Sequence, residues 1–409
     1  MKMPDAAIRE EIRQNGPISF ARFMELALYC PETGYYEAKK DTVGRRGDFI
    51  TSVSVGSFFG ELLAFQFAEW LLAGAEGGDP GVASPASTAA SNPGAKFTIV
   101  EAGAHDGRLA GDILAWLQIH RPELFAQLAY VIIEPSLRRR EWQGETLKTF
   151  APRVRWLSCL PLPPDSPPAD GAGGAAVPGC PLNGILFSNE LLDALPVHRF
   201  GWDAANKGWF EWKVALQAEH FVWARSADIW PADSARQGPL ASGSSAGPWP
   251  ASLGQLPPSL LDILSDGYVV ESCPAADQWW RAAAGALAQG KLLTIDYGFS
   301  AEEMISPARL SGTLRAYRDH RVTADLLANP GAQDLTAHVN FTALQTVGEA
   351  AGLRTELVCT QPQFLTQILQ KALGEKSLAQ MNPKQVRQFQ TLTHPEHLGR
   401  AFRVLVQGR

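Results

Sequence analysis

The sequence predicts an open, doubly wound α/β sheet of seven strands, and three observations predict it. Short apolar and β-branched runs alternate with stretches of helical spacing from Phe97 to Gln407. The first run, 97–101, enters a loop with Gly103 and Gly107, then a helical pattern through Leu109, Ile113, Leu114 and Leu117. A strand, a tight glycine loop and a helix N-terminus make the nucleotide cradle of such a sheet. The first two strands each close on an acid, Glu101 and Glu134, 33 residues apart.

Composition bounds the answer. The 409 residues suffice for one large domain with insertions or for two domains. Apolar residues are 45% and charged residues 19% of the chain, which is globular usage. Lys plus Arg is 36 against 42 for Asp plus Glu, a net charge of −6. That balance opposes non-specific nucleic-acid binding, which needs a basic surface. The five cysteines contain no C-x-x-C pair, so neither structural zinc nor a disulfide framework is expected. No apolar run reaches the ~18 residues of a membrane span. The N-terminus lacks a hydrophobic signal core and carries Asp5, Glu10 and Glu11, which oppose a transit peptide. The expected location is cytoplasmic, without membrane insertion.

Taken in order, residues 4–15 read as a helix with Ile8 and Ile12 on one face. Ser19 suits an N-cap for a second helix over 20–29, stopped by Pro31 and Gly34. The loop from Gly34 to Ser52 is long and aromatic, with Tyr35, Tyr36, Asp48, Thr51 and Ser52, and loops of that kind close over ligands. A helix over about 55–73 is apolar on more than one face and therefore buried. Residues 74–95 are Gly, Ala, Ser and Pro with little else, a flexible linker. This gives an N-terminal helical segment at 1–73 covering the active site and a core at 96–409. The core strands are expected at 97–101, 129–134, 154–157, 184–188, 291–296, 355–359 and 401–407. A second Pro/Gly/Ala-rich loop spans 162–181, and 360–400 reads as helical. Insertions at 200–270, with an aromatic hairpin near 209–224 and a loop at 234–258, and at 297–340 form a second lobe. The sequence leaves open whether the last strand is antiparallel.

Three clusters carry chemistry. A loop of spacing G-x-x-x-G after an acid departs from the dinucleotide fingerprint, because Glu101 would repel a pyrophosphate. It suits a cationic ligand such as S-adenosylmethionine (SAM), although the same residues could form a plain strand-to-helix turn. Glu134, at a strand end, can accept both hydrogen bonds of a ribose diol or stand as a simple exposed acid. Arg138, Arg139 and Arg140 read as a solvated helix face. Ser188 to Val197, SNELLDALPV, sits where an open sheet places reacting groups. Asn189 offers both a carbonyl and an amide. Glu190 and Asp193, three apart on a helical turn, could grip a guanidinium and hold one nitrogen toward a methyl donor, or merely charge a helix N-terminus. Asp296 ends the fifth strand, and the charged loop from Gly312 to Arg321 could face an acidic partner. Beyond it, Thr336 or Asn340 can cap the helix that begins at Phe341, and His338 can act as a base or orienter or be structural.

Together PISFARFMELALYCPETGYY, RRGDFITS, FGELLA, SNELLDALPV, IDYGF, GTLRAYRDHRV and DLTAHVNFTAL resemble the MidA-type SAM-dependent methyltransferases. The resemblance runs from about Pro17 to Arg409, skipping the low-complexity loops. It implies a class I methyltransferase, Rossmann-like fold with an added lobe. It implies SAM as cofactor, held by Glu101, Gly103, Gly107, Glu134, Ser158 and Asn189, with Asn189, Glu190, Asp193 and His338 at the methyl-transfer site. Mitochondrial members of that family methylate an arginine of a respiratory complex I subunit, so a protein substrate is the implied partner. A homodimer is allowed, and no nucleic acid is expected. Alternatives are an assembly chaperone that keeps the fold without catalysis and a small-molecule methyltransferase. The chain departs from the family pattern at His105, which replaces a loop glycine, and at Val53-Ser54, Ser158 and Asn340. A side chain in a left-handed loop position costs on the order of 1 kcal/mol, so a different loop path is expected around His105.

Overall fold

The main sheet of this computed structural model has seven strands along its path, and the two-residue strand Val339–Asn340 pairs with Gly298 and Phe299 beside it. The seven are β1 Phe97–Ala102, β2 Leu128–Ile133, β3 Val154–Leu157, β4 Leu182–Asn189, β5 Leu287–Phe299, β6 Arg354–Thr360 and β7 Phe402–Gly408. The structure describes residues 3–31, 33–38, 51–76, 95–160, 182–231, 258–318, 321–375 and 380–409. Residues 39–50 of the expected 34–52 loop, the 162–181 loop, residues 234–257 of the 234–258 loop, most of the linker at 74–95, and Asp319 and His320 lie outside the described residues.

The strand order is β6-β7-β5-β4-β1-β2-β3. Strands β1 to β5 run parallel, with Val100 opposite Val131 on one side and Leu186 on the other. The chain reverses at the far edge: β7 runs antiparallel between β5 and β6. That answers the orientation left open by the sequence.

Alternate side chains of each strand feed opposite faces. Ile99, Ile132 and Val404 join Phe58, Phe65, Leu114 and Phe364 in one core. Val100, Val131 and Leu405 join Trp280, Phe341 and Leu344 in the other. Both faces are covered, which is why the strands read as continuous apolar runs. The long helix Phe58–Glu76 is buried as its all-round apolarity requires, and it packs on the main sheet. The segment expected as one unit over 1–73 is thus divided by its packing.

The rest of that segment builds the added lobe. Helix Pro4–Asn15 buries Ile8 and Ile12, and Ser19 Oγ accepts the Arg22 N–H at 3.2 Å to cap helix Phe20–Tyr29. Ile18–Ser19 pairs with Gly208–Gln217, which pairs with His198–Asp203, and that strand with Val269–Ser272. The aromatic hairpin is present and longer than expected, Gly208–Gln217 against His220–Pro231. A three-stranded sheet of Arg315–Arg318, Arg321–Thr323 and Asp334–Thr336 comes from the second insertion. Phe20, Phe23 and Met24 pack with Val214, Leu314 and Leu335, so helices and both insertions share one core. Asn340, not Thr336, caps helix Phe341–Ala350 by accepting the Ala343 N–H at 3.0 Å. Among the described residues no helix is long and apolar enough to cross a membrane.

Candidate active site

A cavity with about 830 Å³ of empty space, including its open mouth, lies at the carboxyl ends of β1 and β4. The glycine loop forms one wall. Gly103 has φ +77°, and a Cβ there would stand 2.9 Å from Leu191 Cδ1. Gly107, at φ +84°, opens helix Arg108–His120, with its N–H donating to the Ala104 carbonyl at 2.7 Å. His105 takes the left-handed backbone itself, at φ +46°. Gln143 Nε2 donates to the His105 carbonyl at 3.0 Å and to Glu134 Oε2 at 3.1 Å. The loop is thereby tied to the acid after β2.

The strand-end acids differ in setting. Glu101 lines the cavity, is 2% exposed, and accepts the Tyr130 hydroxyl at 2.6 Å. Burial pushes its carboxyl up to about 7 despite that bond. Glu134 lies behind the wall, accepting the Ser136 N–H at 3.0 Å, and burial raises it while Arg139 opposes the rise. Ser158 is exposed just beyond β3 and does not line the cavity.

The opposite wall is the end of β4. Glu190 has φ +51°, and its Oε1 accepts from the Ser52 N–H at 3.0 Å and from Asn189 Nδ2 at 3.1 Å. Its Oε2 and the Asn189 Oδ1 are buried with no hydrogen-bond partner among the described residues. Burial pushes the Glu190 carboxyl up to about 8. Glu190 and Asp193 do not share a helix face, because Glu190 is left-handed and only a single 3₁₀ turn, Leu192–Ala194, follows. Asp193 sits behind the wall against Asp296, and burial beside that second carboxyl raises it strongly. The turn's N-terminus is capped by Asp296, whose Oδ2 accepts the Leu191 and Leu192 N–H groups at 3.1 and 2.8 Å.

The N-terminal lobe closes the site with Tyr29 and Tyr36, stacked at 5.6 Å. Tyr29 donates to the Ala194 carbonyl at 2.9 Å and Tyr36 to Asp334 Oδ1 at 2.8 Å. Tyr36 and Thr51 belong to the loop whose length and aromatics marked it as a ligand cover. Tyr29 carried no signal beyond its place at a helix end. Arg139 is a correction: it is not a solvated side chain but lines the cavity, 14% exposed, 5.3 Å above the Tyr36 ring. The structure does not bring His338 to the cavity. His338 stacks on Phe299 at 4.7 Å, and burial lowers it to about 4.

Strand order, glycine loop and acid-ended strands define a methyltransferase of the SAM-dependent class. The chain belongs to the family described as "Putative S-adenosyl-L-methionine-dependent methyltransferase", whose profile matches residues 85–359. Its cofactor is SAM. A protein from Burkholderia thailandensis, solved with S-adenosyl-homocysteine bound, superposes with a TM-score of 0.74 at 29% identity, covering 99% of this chain and 92% of that one. The mitochondrial protein arginine methyltransferase NDUFAF7 of Homo sapiens is 28% identical over 96% of this chain and 80% of its own length. Its Drosophila melanogaster homolog is 27% identical over 97% and 83%. The cytoplasmic expectation is corrected by these relatives, which are mitochondrial.

The cavity fits the cofactor chemically. It offers buried acceptors without donors at Asn189 and Glu190, the buried acid Glu101, a guanidinium at Arg139, and a loop that a side chain on Gly103 would obstruct.

Proposed function

We propose that this chain transfers the methyl group of SAM to an arginine side chain of a protein substrate. The single observation that carries the reading is the pair of buried, partnerless acceptors, Glu190 Oε2 and Asn189 Oδ1, on the cavity wall. An orphaned buried acceptor costs roughly 1–3 kcal/mol, and a guanidinium, with five donors in a plane, satisfies two at once. Relatives named as protein arginine methyltransferases support the same acceptor.

In this reading Glu101 faces the cationic methionine end, Gly103 and Gly107 let the loop backbone approach, and Glu134, behind the wall, steadies that loop through Gln143. Bound SAM supplies an electrophilic methyl group, which passes from sulfur to a guanidinium nitrogen as that nitrogen gives up one proton. Glu190 orients the nitrogen: the guanidinium cation beside it favours the ionised form that burial alone disfavours, and the ionised carboxylate takes up the proton. Asn189 fixes Glu190 through Oε1 and leaves Oε2 for the substrate. Tyr29 and Tyr36 exclude water from the acceptor. Most of the rate comes from holding the nitrogen in line. Asp193 acts only through Asp296 and the turn they share, and His338 takes no part.

The test is incubation with methyl-labelled SAM and host lysate, followed by mass spectrometry. Label on arginine side chains of one or a few proteins is the expected outcome. Label confined to small molecules or to other residue types overturns the reading.

A further inference from the structure

We propose that Arg139 receives the carboxylate of the methionine end of SAM. The inference rests on the cofactor alone and not on the identity of the methyl acceptor.

The cavity is rich in acids: Glu101, Asp106 and Glu190 all line it. An amino-acid carboxylate entering such a space needs a cation to offset the repulsion and its lost hydration. The described lining holds two arginines. Arg108 is half exposed, at 53%, and already pairs with Asp106 through a 2.8 Å contact. Arg139 differs on both counts. Its side chain is 14% exposed, and its Nε is buried without a hydrogen-bond partner among the described residues. The carboxylate paired with it, Glu134, stands 3.7 Å from a terminal nitrogen, beyond hydrogen-bond range.

The local structure holds this guanidinium in place without using up its donors. Ser136 Oγ accepts the Arg139 backbone N–H at 3.2 Å and caps helix Leu137–Thr146. Arg138 donates to the Glu37 carbonyl at 2.9 Å and Arg140 to the Glu134 carbonyl at 2.7 Å. The flanking arginines therefore anchor the helix to the N-terminal lobe and to β2. The Tyr36 ring lies under the Arg139 guanidinium at 5.3 Å, a cation–π contact that uses the face and leaves the edge donors free. A planar fork with an open edge on a cavity wall is the arrangement that recognises a carboxylate by two parallel hydrogen bonds.

The test is calorimetric binding without any methyl acceptor, comparing SAM with decarboxylated SAM, which lacks only the carboxylate. The natural protein is expected to bind SAM at least 10-fold more tightly than the decarboxylated form. In Arg139→Gln the SAM affinity falls about 10- to 100-fold, the decarboxylated ligand is unaffected within about 2-fold, and the preference disappears. In Arg139→Lys, which keeps the charge and loses the fork, the preference shrinks by at least about 3-fold. Because the readout is a ratio of two affinities on one protein, a loss of fold cannot imitate it. Should Arg139→Gln fail to fold, Arg139→Lys decides. A natural protein without the preference, or a preference retained in the variants, overturns the proposal. Equal losses for both ligands overturn it too, and place Arg139 against the nucleoside. A failure here leaves the arginine acceptor untouched, since no acceptor is present.

Discussion

The Tyr130 hydroxyl on β2 donates a 2.6 Å hydrogen bond to Glu101 Oε2 on β1, and both side chains are buried. The bond favours the charged form of a carboxyl that burial pushes toward protonation. Tyr130→Phe removes it and raises Glu101 further. The variant is expected to lose about 1–3 kcal/mol of stability at pH 8 and clearly less at pH 5. Denaturant titration at the two pH values checks this, and an equal loss at both would remove the electrostatic account.

Stability of the ligand-free protein should fall with rising pH. Glu101 and Glu190 hold their protons in the folded chain to about pH 7 and about pH 8, against 4.5 in the unfolded chain. Below 4.5 neither state has released them, and their contribution to stability is complete. Between there and the folded values the unfolded chain releases protons first, so stability drops by up to about 1.4 kcal/mol per pH unit for each group. Melting curves from pH 5 to pH 8 should slope downward for the natural protein and more gently for Glu190→Gln. Parallel slopes would show that Glu190 is not responsible.

Catalysis should separate from cofactor binding at β4. Glu190→Gln is expected to lower kcat at least about 100-fold while SAM affinity stays within about 3-fold, since the amide cannot accept the proton. Asp193→Asn, one layer behind, should cost about 10-fold or less. Single-turnover kinetics with calorimetry distinguishes these, and unimpaired methylation by Glu190→Gln would falsify the base assignment.

The glycine loop should be sensitive at one residue and indifferent at another. Gly103→Ala places a Cβ 2.9 Å from Leu191 Cδ1 on a left-handed backbone, and it should cost about 1–3 kcal/mol and weaken SAM binding. His105→Gly relieves a left-handed side chain at φ +46° while loosening the unfolded chain, so its net effect should stay within about 1 kcal/mol. Equal losses at both positions would mean that His105 contacts the cofactor directly.

His338→Gln should leave kcat within about 2-fold, because the ring stacks on Phe299 and does not line the cavity. A bell-shaped pH–rate profile that flattens in this variant would return the residue to the reaction.

The main sheet was legible because strands buried on both faces read as apolar runs, as at 97–100 and 130–133. Ser19 and Asn340 were legible as caps because capping is local chemistry. What escaped the sequence is tertiary. Glu190 and Asp193 have helical spacing, yet the backbone turns left-handed at Glu190 to meet Ser52 of the other lobe. Arg139 sits in a run of three arginines that looks solvated, yet the Tyr36 ring of the Tyr35–Ala38 turn, arriving from far along the chain, covers its guanidinium. His338 follows a plausible motif, but the Phe299 ring and the lobe core claim it. In each case the deciding partner is distant in sequence, where spacing carries no information.

The placement of β7 has a consequence for biogenesis. Among the described residues β6 pairs only with β7 in the main sheet, and β7 with both β5 and β6. On a ribosome β6 therefore emerges with no strand to join, and it stays an unpaired edge until two further helices and β7 have been synthesised. During that interval a β-prone segment and the apolar flank of β5 are open to foreign strands. This makes late synthesis the stage at which a holdase-type chaperone gives most protection.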